Sequence, residues 1–182
     1  PAGNQPKTHA LLALMLLNTA RNPARVDGEG NLLRLQEQNR ADWDQPMIAR
    51  GMFHLAQSAA GGELTEYHLQ SGIAACHCAA KDFVSTDWRQ ILSLYDRLLE
   101  FDDSPVVALN RAVALAEVQG PQAGIAAVNA IQNRSSLECY HLLHAVLGEF
   151  ESRLGHAQAA AAHFQKALQL AEIKSEQAFL AK

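Results

Sequence analysis

With 182 residues, 48% of them hydrophobic and 19% charged, the chain is long enough for one domain or a short stack of repeats and apolar enough to bury a core. A net charge of −4 argues against direct binding of nucleic acid or an anionic membrane, since either calls for clustered Lys and Arg. The three cysteines, Cys76, Cys78 and Cys139, are too few for a disulfide framework and read as reduced thiols of a cytoplasmic protein.

Near the start, Lys7 followed by Ala10–Leu17 imitates the apolar core of a signal peptide. The run is far shorter than the roughly 20 residues that span a bilayer, and it continues into Asn18-Thr19-Ala20-Arg21 like the polar end of a buried helix. His9–Ala20 is apolar on nearly all sides, which predicts a helix covered by its neighbours. Arg21-Asn22-Pro23 ends it, because proline disfavours the helical conformation of the residue before it. Asp27-Gly28-Glu29-Gly30-Asn31 reads as a tight turn and Leu32–Leu35 as a short bridge. Asp42-Trp43-Asp44-Gln45-Pro46 reads as a helix cap with proline in the first turn.

Helical periodicity then predicts Pro46–Ala60, closed by Gly61-Gly62, and Thr65–Ala80. A further helix is capped by Asp87, and Ser104-Pro105 starts the next, Val106–Gln119. Pro121–Ile131, Leu137–Leu154, His156–Ala171 and a short helix around Glu176–Leu180 complete the series. No alternating strand pattern occurs, so the expectation is an all-α fold of eight or nine helices arranged as helical hairpins.

Tyr140–Ala171 has the spacing of a tetratricopeptide unit. Gly148 sits where one helix lets its partner approach, Gly155 marks the turn, Ala160 and Ala167 are small contacts, and Phe164 is the aromatic wedge. Gly120-Pro121 lies 35 positions before Gly155-His156, close to the roughly 34-residue tetratricopeptide period. The chain is therefore read as an N-terminal helical part, residues 1–86, and tetratricopeptide-like repeats, residues 87–182.

Several constellations carry polar chemistry. Cys76-His77-Cys78 are consecutive, and successive helical residues point about 100° apart, so they cannot face one ion together. His141 and His144 share a helical face at a chelating spacing but lack a carboxylate partner motif. Asp27-Gly28-Glu29-Gly30 lacks the later ligands of a calcium loop. No nucleophile elbow or phosphate-cradling loop is present, so no enzyme, metal or cofactor is expected. Three polar pairs lie in or at the start of apolar helices: Asp87-Trp88, Asn110-Arg111 and Tyr140-His141. They satisfy one another inside the stack, Asn110-Arg111 pairing with the Asp87 carboxylate or a helix-end carbonyl, or they line a concave groove that grips a peptide.

The order of segments, with Arg21-x-Pro23-Ala24-Arg25-x-Asp27, Asp42-Trp43-Asp44 and Ser104-Pro105-Val106-Val107-x-Leu109-Asn110-Arg111-Ala112-Val113-Ala114, closely resembles the C-terminal extension of a subgroup of bacterial extracytoplasmic-function RNA polymerase sigma factors. The resemblance covers nearly the whole chain. It implies that two helical domains preceding the extension bind core polymerase and read promoters, and that the extension regulates the factor. It also implies that the extension is already under way at Pro1, so that the first helix has a native partner outside the chain. No basic recognition helix occurs here, so no promoter contact is assigned to any residue. The implied partners are the sigma N-terminal domains, RNA polymerase, or both. The candidate contact residues are Arg25, Asp27, Asp87, Trp88, Asn110, Arg111, Tyr140 and His141. The alternative is an independent tetratricopeptide-like adaptor for a peptide or protein partner.

Overall fold

Short polar side chains and prolines set the helix starts. Asp44 accepts from the Met47 amide at 2.8 Å, Asp87 from Gln90 at 2.9 Å and Ser104 from Val106 at 3.3 Å. Each satisfies an amide that the helix leaves unpaired, a contribution of about 1 kcal/mol. Proline occupies the first turn of four helices, where its missing N–H costs nothing. The structure is a computed structural model that describes residues 5–172. Among these residues there are eight α-helices and no β-strand: α1 (Pro6–Thr19), α2 (Gln45–Ser58), α3 (Glu66–Ala79), α4 (Trp88–Leu98), α5 (Pro105–Gln119), α6 (Pro121–Asn129), α7 (His141–Arg153) and α8 (Ala157–Leu170). The helix expected around Glu176–Leu180 lies outside the described residues.

The helices fall into two units. One takes in the residues up to Glu29 and Leu33–Asp102, the other Gly30–Leu32 and the residues from Asp103 onward. The division therefore follows α4, whereas the sequence pattern draws it at residue 86. The reason is that α4 packs on α3 and so belongs with the helices before it.

In the first unit α1 packs against both α2 and α3, and Leu17, Ala20, Ala24, Trp43, Ile48, Ala74 and Ala75 form the core. Only one face of α1 is covered. Ala10, Ala13 and Leu17 are fully buried, but Leu11 and Leu12 are each 37% exposed and Met15 60% exposed. This corrects the expectation that neighbours surround the helix, since α2 and α3 together cover one side of it.

In the second unit α5 packs on α6, α6 on α7 and α7 on α8. Leu109, Ala112, Ala116, Val128, Leu137, Leu143, Leu147 and Phe150 make its core. The hairpin turns fall at Gly120 and Gly155, with φ of 92° and 79°, a left-handed region that disfavours any side chain with a Cβ. Close approach depends on glycine and alanine. A Cβ at Gly148 would stand 2.8 Å from the Phe164 ring, and one at Gly124 would stand 2.7 Å from the Phe150 ring and 2.8 Å from Ala116 Cβ. The repeat spacing is thus met in part by observed geometry: Gly148 closes on Phe164, Gly155 turns the chain, and Ala160 and Ala167 are buried.

Ala116 Cβ is fixed to its backbone and cannot swing aside. Gly124→Ala is therefore expected to destabilise the protein by about 1–3 kcal/mol through overpacking. Gly62→Ala, which meets nothing within 4 Å, is expected to stay within about 0.5 kcal/mol. Urea unfolding of the two variants checks this.

Candidate functional site

The connection between α1 and α2, from Ala20 to Asp44, is far longer than a helical turn requires, and surface segments of such length are usually functional. Its ends are tied together, the Asp44 amide donating to the Ala20 carbonyl at 2.9 Å and the Leu33 amide to Arg25 at 2.8 Å. Within it Asp27 accepts from the Glu29 amide at 2.9 Å, the expected tight turn.

Trp43, 2% exposed, is the centre of this segment. The Arg21 and Arg40 guanidiniums lie over its ring at 5.2 and 5.1 Å, each a cation–π contact of about 0.5–2 kcal/mol. Arg40 is itself 5% exposed and its charge is well used. Its Nη1 donates to the carbonyls of His77 and Ala80 at 2.6 and 3.2 Å, at the negative end of α3. Its Nη2 donates to Thr86 Oγ1 at 2.7 Å. Arg40 is thus the cap of α3, supplied from a loop distant in sequence.

Arg21 has no comparable partners. Its Nε is buried without an acceptor, as are Arg40 Nε, Trp43 Nε1 and His77 Nδ1. Burial is the main influence holding the Arg21 pKa below its ordinary value, followed by the charge of Arg25; the other ionisable groups near it are Cys78, Arg40 and Tyr95. None of these groups is a carboxylate. Burial, then Arg21 and Arg40, hold the His77 imidazole at a pKa of about 3. Burial pushes the Cys78 thiol up to about 11, so it is not a thiolate nucleophile at neutral pH.

Of the residues singled out from the sequence, Arg25 and Trp88 border this cluster. Arg25 is exposed and its charge reaches Arg21. Trp88 stands edge-on to His77 at 5.3 Å and tilted against Phe83 at 5.1 Å. Asp27 belongs to the turn and Asp87 caps α4. Asn110, Arg111, Tyr140 and His141 belong to the other unit. Asn110 is exposed and Arg111 half-buried, so Asn110 is not the buried polar group that its alanine and valine neighbours suggest. Tyr140 precedes α7 and its ring meets His141 at 5.6 Å. His144 is buried, its Nε2 within 3.1 Å of the Glu138 carbonyl.

Sequence reading passes over Arg21, Arg40, Trp43 and His77 as site residues. One signal was available for Arg21: no acidic residue lies within four positions on either side of it. Cys76, His77 and Cys78 fan apart as helical geometry requires, with Cys78 Sγ 3.6 Å from the Leu17 carbonyl and His77 against Trp88. Among the described residues no three His, Cys, Asp or Glu side chains gather in a metal-binding group, and no helix is long and apolar enough to cross a membrane.

Two further surface features accompany the cluster. Phe53 of α2 is 58% exposed, its ring edge-on to His54, which stacks on His9 of α1 at 5.0 Å. Beside the end of α2 an open hollow of about 540 Å³ is lined by Met52, Leu55, Ser58, Gly61, Leu64 and His68, among others. The His68 imidazole already contacts the Thr65 amide at 3.2 Å and the Ser58 carbonyl at 3.3 Å.

Two outcomes are expected from this geometry. Arg40→Met leaves the α3 carbonyls and Thr86 without their donor, and calorimetry is expected to show a loss of about 2–4 kcal/mol. His77, with a folded pKa of about 3 against an ordinary 6.5, refuses a proton that the unfolded chain accepts. Stability therefore falls as pH drops from 6.5 toward 3, by at most about 1.4 kcal/mol per pH unit from this group, and the group contributes no slope above that window. His77→Gln should flatten that slope in pH-dependent urea unfolding.

Residues 1–59 match a family of unknown function (DUF6596), a stretch that holds Arg21, Arg25, Asp27, Arg40 and Trp43. The chain is also 36% identical over 176 residues to an uncharacterized protein of Rhizobium meliloti (strain 1021), a match covering 97% of this chain and 41% of that protein. The chain thus spans less than half the length of this curated relative. No solved structure matches it.

Proposed function

We propose that this chain is a protein-interaction module that regulates a longer RNA polymerase sigma factor of the extracytoplasmic-function type. It acts in transcription initiation in the cytoplasm, by contact, with no catalysis or cofactor of its own. The observation that carries this reading is the outer face of α1. Leu11, Leu12 and Met15 form one exposed apolar strip on a helix whose opposite face is sealed in the core. Such a strip suits packing against another helical domain. The segment order shared with sigma-factor extensions supplies the identity of that domain, and a relative more than twice as long agrees with a module inside a larger protein.

Covering the strip stabilises one arrangement of the factor over another. Each of these side chains contributes on the order of 1 kcal/mol when buried, and every 1.4 kcal/mol is about tenfold in a conformational equilibrium. The acidic balance of the chain, −4, suits a role beside the promoter-binding domains without contact to DNA. Arg25, Asp27 and Trp88 are the polar contact candidates on the same unit as the strip.

Calorimetry of this module with the separated sigma N-terminal domains is expected to show micromolar or tighter association, which tethering in one chain would strengthen. Leu11→Ser with Met15→Ser should weaken it at least about tenfold while leaving the melting temperature close to that of the parent. If a sigma factor lacking the module initiates transcription at an unchanged rate in every condition tested, the proposal fails.

A further inference from the structure

Two other arginines of the protein, Arg134 and Arg153, have acidic partners. Arg134 pairs with Glu138 and Arg153 with Glu117, and Arg40, though without a carboxylate, is spent on two carbonyls and a hydroxyl. Arg21 differs. Its guanidinium lies over the Trp43 ring at 5.2 Å, its Nε is buried with no acceptor, and no described residue forms an ion pair with it. The adjoining Trp43 Nε1 is a second buried donor with no acceptor, on a side chain 2% exposed. The other strong charges around Arg21 are also cations, Arg25 and Arg40.

Donors without protein acceptors, beside an aromatic face and next to like charge, are groups that a single oxyanion satisfies. A guanidinium placed over an aromatic ring and partly buried has less rotamer freedom to lose on binding, and its fork suits two oxygen atoms of one group. Arg25 lies four residues on, across the short 3-10 turn Asn22–Ala24, and is exposed where a ligand arrives from solvent. The local excess of positive charge stands out in a chain whose net charge is −4.

We infer that Arg21, with Arg25 beside it and Trp43 beneath it, forms a binding site for an oxyanion, a carboxylate or phosphate group, on the loop between α1 and α2. Arg40 holds the platform and adds its field. The inference does not depend on the transcription reading, because it concerns only the free chain and a small ion.

The test uses the whole chain, with sodium phosphate in one arm and sodium acetate in the other, at ionic strength held constant with sodium chloride. Intrinsic fluorescence reports directly, since the chain has two tryptophans, Trp43 and Trp88, both at this cluster; Trp88→Phe isolates the first. A saturable change with a millimolar or tighter dissociation constant is expected, and the arm that saturates first identifies the oxyanion class. Arg21→Met should weaken it at least tenfold, and Arg25→Met several-fold. Because Arg21→Met removes a charge without a counterion, the variant should melt no lower than the parent without added anion and should lose the parent's upward shift with anion. Absence of saturation in both arms, or an equal response in Arg21→Met, overturns the proposal.

Discussion

The guanidinium of Arg40 ends one helix, anchors a long connection and forms one side of the Trp43 stack. A helix leaves its last carbonyls unpaired, and the chain leaves α3 at Ala80 in an extended conformation, φ −81° and ψ 140°, not in the left-handed turn by which glycine-ended helices satisfy themselves. Arg40 fills that deficit. In doing so it draws the segment from Ala20 to Asp44 onto α3, which in turn buries Trp43. Arg21 then finds itself over an aromatic face with no carboxylate within reach.

The two units solve the problem of helix packing differently. The second relies on subtraction. Small residues at Gly124, Gly148, Ala160 and Ala167 let helices approach until Phe150 and Phe164 fill what remains, and glycines in the left-handed region turn the chain between them. The first unit also brings glycines close, Gly51 against Leu17 and Gly61 against Pro6, but its distinctive element is the polar, aromatic loop. Repetitive packing of the former kind is tolerant and structural. A loop held by long-range hydrogen bonds to a buried arginine is a feature with a single arrangement, where function is more readily placed.

The same contrast explains what the sequence disclosed. Helix starts at Asp44, Asp87 and Ser104-Pro105 were legible because caps act over two or three residues. The interhelical contacts of Gly148 and Phe164 were legible because repeat spacing encodes them. The exposed strip of α1 was not, since Leu11, Leu12 and Met15 look like core residues until it is known how many neighbours the helix has. Nor was the Arg40 cap legible, because its acceptors at His77 and Ala80 lie 37 and 40 positions away and are carbonyls common to every residue. Arg25 and Trp88 were singled out from local pattern alone, whereas Arg21 and Trp43 needed the loop to close before their relation existed. Asn110 misled because a polar residue between apolar ones is ambiguous in a helix with one wet face.

Arg40 also governs how this unit opens. The Arg40 side chain ties the carbonyls at the end of α3 to the loop before α2, so opening either one removes a support of the other. The native protein should therefore fluctuate there as one cooperative piece, its hydrogen exchange governed by a single opening free energy and not by fraying from each end. Such a piece can be switched as a whole by anything that adds to or removes from the Trp43 stack.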